Sequence, residues 1–407
     1  MKNNPLNPRI GSPSDDRSHR LRRRPTLACV SRQCGRARRP RSDGMGILNR
    51  KKTAAPPPPP PKPPEPLALI ATGVCTLAGT GDYAAQGAVQ LKLNGAKPNP
   101  ALALAVPDQG APPVLTAALD EELLPLDTPV PERLVFLLAH ALLALAKQLD
   151  RRYLTADTRL QVLLPSAASA RGHAVKPQAL KASVLQHAPA FAACDWHFSR
   201  DADGGVNALQ QCLDGDWQQL IFVGVDSLID AGTVLDFAYD NRAMRAGATQ
   251  GIVPGEAAGA VALTRTPGAQ PVRAWLRGWA SEAEPAVGQA ETERLPGLRT
   301  AIKTALQQAD IAVTDVQAVS HGLGAEIAGD LEWYQTHVAF WRGQRGPKQQ
   351  RLHIAFGDVG VAALPLQLAL IAAEYDSQRG LARYDFPHPA RCWCATPPTR
   401  RYAAPFA

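Results

Sequence analysis

Two kinds of block alternate along the chain. Short runs rich in Val, Ile, Leu and Ala, of the length of a strand covered on both faces, lie at 67–74, 159–166, 219–226, 259–265, 272–280, 316–322 and 351–358. Longer stretches suited to helices fill the intervals at 131–152, 174–187, 205–214, 294–309, 327–343 and 362–376. Strand, long helix and strand ending in Gly or a polar residue recur in that order in both halves, which predicts an α/β protein with a sheet covered by helices and suggests duplication. The longest apolar run, LVFLLAHALLALA, has 13 residues, too few for the roughly 20 of a membrane span. It reads as a buried helix entered through Pro131 and Glu132 and closed by the cations from Lys147 to Arg152.

Composition changes this picture at one end only. The 407 residues are 45% hydrophobic, enough for a large core, and carry a formal net charge of +8. Residues 1–44 contain 12 Lys and Arg against 3 acids, so everything after Gly44 sums to −1. The basic character belongs to the tail, which removes the electrostatic case for nucleic-acid binding by the folded body. Two readings of residues 1–44 stand side by side: an Arg-rich transit peptide, or a segment that is not translated because synthesis starts at Met45. PPPPPPKPPEP, Pro56 to Pro66, predicts a stiff spacer. The expected organisation is thus a disordered basic tail at 1–44, a Pro-rich linker at 45–66, and two halves at 67–266 and 267–407. Seven scattered cysteines, an odd number, argue against a disulfide framework and for a reducing, cytoplasmic setting. Cys392 and Cys394 lack a second pair or a His cluster, so no metal site is expected.

Ligands in such sheets gather at the C-terminal strand ends, here GVDS (Gly224 to Ser227), SHGLGAE (Ser320 to Glu326) and FGDVG (Phe356 to Gly360). The stretch QGIVPGEAAGAVALTR, Gln250 to Arg265, delivers a glycine, an acid and three small residues into an apolar strand. Its lone acid, Glu256, must be paired or hydrogen-bonded if it is buried, and it reads either as a structural tie between loops or as a catalytic group.

GIVPGEAAGAVALTR, with Gly255 and Glu256, resembles the Gly-Glu-Gly strand entry of the β-ketoacyl-acyl-carrier-protein synthases of the thiolase superfamily. VSHGLGAEIAGDLEW resembles the segment bearing the family's first catalytic histidine, with His321 matching and Glu332 at the distance of the following acid. IFVGVDSL is similar to the strand ending in Gly-Gly, and LRGWASEAE to the strand opening the second half. The resemblance covers most of 67–376. It implies a five-layer αβαβα fold of two similar halves and, in intact members, acyl transfer without a cofactor.

That chemistry needs a cysteine thiolate at a helix N-terminus and two basic groups to stabilise the charge that develops. Counting back from Gly224 puts Phe198 at the nucleophile's place, and aligning the Gly-Gly puts Ala202 there; neither can attack a thioester. Asp358 replaces the second histidine, and His353 falls near the family's lysine. The resemblance therefore implies a non-condensing relative serving as a binding or scaffolding subunit, since nucleophile-free relatives accompany active synthases. Expected partners are an acyl carrier protein, an active synthase or a secretion-system protein, together with a second copy of the chain paired through an edge strand at 193–199. The competing reading is an active acyltransferase using Cys194 as nucleophile with His321, and with His353 in partial compensation. With the nucleophile and second histidine gone, Glu256 and Glu332 are expected to be structural acids.

Overall fold

The computed structural model describes residues 64–102, 113–200, 205–283, 296–323, 326–381, 390–395 and 400–406. The predicted tail, most of the Pro-rich linker and Ala202 lie outside these residues. The first half runs β1 (Leu67–Cys75), α1 (Asp82–Gln90), a small hairpin of β2 (Lys97–Asn99) and β3 (Val114–Thr116), α2 (Val130–Ala146), β4 (Thr158–Leu163), α3 (Ala170–His173) and α4 (Pro177–His187). It continues through β5 (Asp195–Ser199), α5 (Val206–Leu213), β6 (Gln219–Ser227), α6 (Ala231–Tyr239) and β7 (Glu256–Thr264). The second half runs β8 (Ala274–Leu276), β9 (Ala280–Ala283), α7 (Pro296–Ala309), β10 (Val316–His321), α8 (Ile327–Trp341), β11 (Lys348–Arg351), α9 (Leu352–Phe356), α10 (Ala363–Leu381), β12 (Ala390–Ala395) and β13 (Arg400–Phe406).

Strand order exposes the duplication. One half reads β5-β4-β6-β7-β1 and the other β11-β10-β12-β13-β8. In both, the first three strands are parallel and the last two pairings antiparallel. Pairing of Leu67 with Leu276 joins them into one sheet, with β9 beside β13.

The central strands are buried almost throughout, with successive side chains alternating between two covered faces. On β7, Val261 and Leu263 join the central layer with residues of α1, α5 and α10, while Ala258, Ala260 and Ala262 pack with α2 and α4. Across the second half, Val316 and Val319 pack with α7 and α8. The layers are therefore helix, sheet, helix, sheet, helix. Two small residues set the spacing of the middle layer. Gly224 and Gly259 are register partners on β6 and β7; a Cβ on Gly224 would lie 2.5 Å from the Val361 carbonyl, and one on Gly259 would run into the Leu366 backbone. This close approach of a helix is what the small residues of the Gly255–Gly259 segment permit.

Several boundaries differ from the sequence reading. Of the 351–358 run only Arg351 is in a strand: β11 ends there and α9 follows at once, because the apolar LHIAF run packs Leu352, Ala355 and Phe356 into the central layer at helical spacing. The 272–280 run is two short strands. Near the C-terminus β12 and β13 complete the second sheet.

Candidate functional site

The C-terminal ends of β6 and β10 and the loop after α9 are the places where this topology gathers functional groups. At the end of β6, Asp226 is fully buried and fully engaged. It receives Arg171 Nε at 2.8 Å and Nη2 at 3.2 Å, its neighbour Ser227 N at 2.9 Å, and Val361 N at 3.1 Å. Gly360 adopts a left-handed φ of 53° and passes so close to Asp226 that a side chain there would collide with the carboxylate. Asp358 lies beside this pair. Its backbone N donates to Val253 O at 2.7 Å, its carbonyl accepts from Gly255 N at 2.8 Å, and its carboxylate accepts from Gly360 N at 2.9 Å. Desolvation raises its pKa, with Asp226 adding to the rise and the Gly360 N–H and Arg171 opposing it.

Opposite Ser227 in the β6–β7 register lies a second buried centre. Glu256 and Arg133 are both fully buried. Arg133 donates Nε to Glu256 Oε2 at 2.8 Å and Nη2 to Oε1 at 2.6 Å, and its Nη1 donates to Pro125 O at 2.6 Å. Leu119 N and Ser227 Oγ, each at 2.9 Å, complete the shell of Glu256. Every strong acceptor direction of the carboxylate is thereby used on the protein itself, which leaves it no free lone pair for a substrate proton.

At the end of β10, His321 is fully buried and stacks on Trp333 of α8, with ring centroids 4.8 Å apart and planes at 22°. Neither ring nitrogen finds a partner among the described residues. Burial, then Arg351 and His353, lower its pKa to about 3. His353, in the first turn of α9 and not in a strand, is pushed down to about 4, first by burial and then by Arg351. Both imidazoles are neutral near pH 7. Glu332 is buried on α8.

No family model matches the sequence, and no curated protein is similar to it. Solved structures do match. The ishigamide ketosynthase/chain length factor covers 84% of this chain and 98% of its own at a TM-score of 0.56 and 14% identity. The fold is that of the ketosynthases. A type II polyketide ketosynthase bound to a hexaketide and in complex with its acyl-carrier protein, AntDE:AntF, covers 84% and 99% at a TM-score of 0.62 and 14% identity. The oxazolomycin ketosynthase domain OzmH KS7 of Streptomyces albus JA3453 covers 84% and 74% at a TM-score of 0.60 and 16% identity.

Within this ketosynthase fold the expected site residues separate into three places. Asp358 joins Asp226 and the turn before Glu256; His321 and His353 sit together beside Arg351; Cys194 is remote from both. Asp195, the residue after Cys194, is level with Arg159 and Leu220 in the parallel sheet. Asp226 is six residues further along β6, about 20 Å away at the usual strand rise. Cys194 is thus at the wrong end of the sheet for a nucleophile, and burial pushes its thiol up to about 11. Burial opposes the expected use of Cys194 as a thiolate nucleophile with His321. Phe198 lies inside β5, half-buried against Trp196, and not at the start of α5, which begins at Val206.

Sequence reasoning missed Arg133 and Arg171. An Arg at the head of the apolar run of α2 was the available signal for Arg133. Arg171 follows a serine cap on the very short α3 and carried no signal at all.

Proposed function

We propose that this protein is a non-condensing ketosynthase-like subunit that binds an acyl carrier protein, an active synthase or a secretion-system adaptor partner. The observation that carries the reading is the Arg171–Asp226–Asp358 cluster. It sets the Arg171–Asp226 ion pair and the Asp358 carboxylate, each carboxylate also held by backbone N–H groups, beside the loop where the resemblance expects a histidine donor. Such a cluster offers an oxyanion no free cation, because Arg171 is already held by Asp226. The thiols support the same reading. Burial holds Cys75 at about 12 and Cys194 and Cys212 at about 11, far from the thiolate needed to attack a thioester.

A cytoplasmic homodimer completes the proposal. β5 is an edge of the large sheet, and Trp196 and Phe198 on it are only half-buried. An edge of this kind is stabilised when another strand covers it. Among the described residues no helix is long and apolar enough to cross a membrane.

The test is intact-mass spectrometry after incubation with acyl-CoA and with acyl carrier protein. The expected spectrum shows no acyl adduct. An adduct that disappears in Cys194→Ser overturns the reading and restores an acyltransferase.

A further inference from the structure

Buried polar atoms that find no partner among the described residues gather around the C-terminal end of β10. On the face of the sheet that α10 covers, Gln367 is fully buried with neither its Nε2 nor its Oε1 bonded, and Ser320, also buried, has an unbonded Oγ. Gly322 lies between them. It is two residues past Ser320, hence on the same face of the extended chain and about 7 Å further along it. Among the described residues outside its own chain neighbours, a Cβ built on Gly322 would meet one atom within 4 Å, Gln367 Nε2 at 3.0 Å. Gly322 is exposed although His321 and Leu323 on either side are buried. A small recess therefore opens where a side chain would stand, with the Gln367 amide as its floor. It lies on the face of β10 opposite His321, whose ring stacks on Trp333.

The charges around the recess fix what it can hold. Level with Ser320 in the register is Gln350, whose Nε2 donates to Glu374. Glu374, two turns beyond Gln367 on α10, also accepts from Gln86 Nε2 at 3.0 Å and lies 3.6 Å from Lys348 Nζ. That carboxylate is held by protein groups. Arg351, at the end of β11, gives Nη1 to Asp330 at 2.9 Å. The recess itself presents a neutral amide and a neutral hydroxyl, so an ion in it would be desolvated without a counter-charge. A small neutral ligand that both donates and accepts satisfies these atoms, and water is such a ligand.

We infer that the Ser320–Gly322–Gln367 recess is a binding site for ordered water, which accepts from Gln367 Nε2 and is linked, directly or through a second water, to Ser320 Oγ. The water ties α10 to the end of β10, and the missing side chain at Gly322 gives it room.

A crystal structure of the full chain at a resolution that shows ordered water tests this. The expected result is a water peak beside Gly322, within about 3.2 Å of Gln367 Nε2. A Gln367 amide bonded directly to protein groups, or a recess with no peak, overturns the inference. Two variants read the same site. Gly322→Ala, at a backbone φ that alanine accepts, places a methyl group in the recess and is expected to remove the peak and lower the melting temperature; a peak that persists counts against the site. Gln367→Met keeps the length of the side chain and removes both polar atoms. A hydrated amide loses its bonds in that variant, so the melting temperature is expected to fall. An unchanged or raised value shows an amide buried dry and overturns the inference.

Discussion

Arg133 of α2 and Glu256 of β7, both fully buried, meet through two parallel N–H to carboxylate bonds and so pin the loop around Leu119 and Pro125 against the end of the central strand. Removing one partner leaves the other as an uncompensated buried charge, a loss of about 3–5 kcal/mol. Glu256→Gln is therefore expected to lower the urea midpoint strongly. Arg133→Met combined with Glu256→Leu should cost clearly less than the sum of the two single changes. Additive costs in that double-mutant cycle would show that the pair is not coupled.

The two histidines predict acid sensitivity. Their folded pKa values, about 3 for His321 and about 4 for His353, lie below the ordinary 6.5. Between pH 6.5 and about 4 the unfolded chain binds protons that the folded chain excludes. Stability is therefore present in full above 6.5 and falls as the pH drops, with a slope of up to about 1.4 kcal/mol per pH unit for each histidine. Asp358 acts in the opposite sense, since its raised pKa favours folding at low pH. His321→Phe, which keeps the stack on Trp333, should flatten the profile between pH 6 and 4. Melting temperatures across that range with an unchanged slope would refute the assignment.

Glycine substitutions should divide by what lies opposite. Gly259→Ala forces a methyl into the backbone of α10 and is expected to cost at least about 1–3 kcal/mol, the usual range for overpacking. A Cβ added to Gly87, on α1, would meet nothing within 4 Å. Gly87→Ala should stabilise by about 0.4–1 kcal/mol through the unfolded chain and helix propensity. Thermal denaturation of the two variants beside the wild type checks both signs.

Thiol chemistry provides a further check. Cys75, Cys194 and Cys212 are buried with raised pKa values. Iodoacetamide at pH 8 should leave all three unmodified in the folded chain and label them in denaturant, as read by peptide mass mapping. Fast labelling of Cys194 in the folded chain would contradict its inert placement.

The sequence by itself determined the class of fold. Strands with a continuous apolar run, such as 220–225, spaced by helical stretches, demand a sheet covered on both faces, and the glycines at 224, 255 and 259 demand close backbone approach, because these are local constraints of periodicity and steric volume. The acid at Glu256 was legible as one needing a partner, but the partner was not. Arg133 lies 123 residues away and Arg171 is 55 residues from Asp226, and no local pattern couples positions that meet only when β5-β4-β6-β7-β1 assemble into a sheet with their helices packed on it. The run at 351–358 carries the composition of a strand, and tertiary packing of Leu352, Ala355 and Phe356 made it a turn of helix. The same packing placed Cys194 at the N-terminal end of β5 and Asp358 against Asp226. Which polar residues face one another across a fold is a matter of long-range geometry, while what each residue needs is already set by its own chemistry.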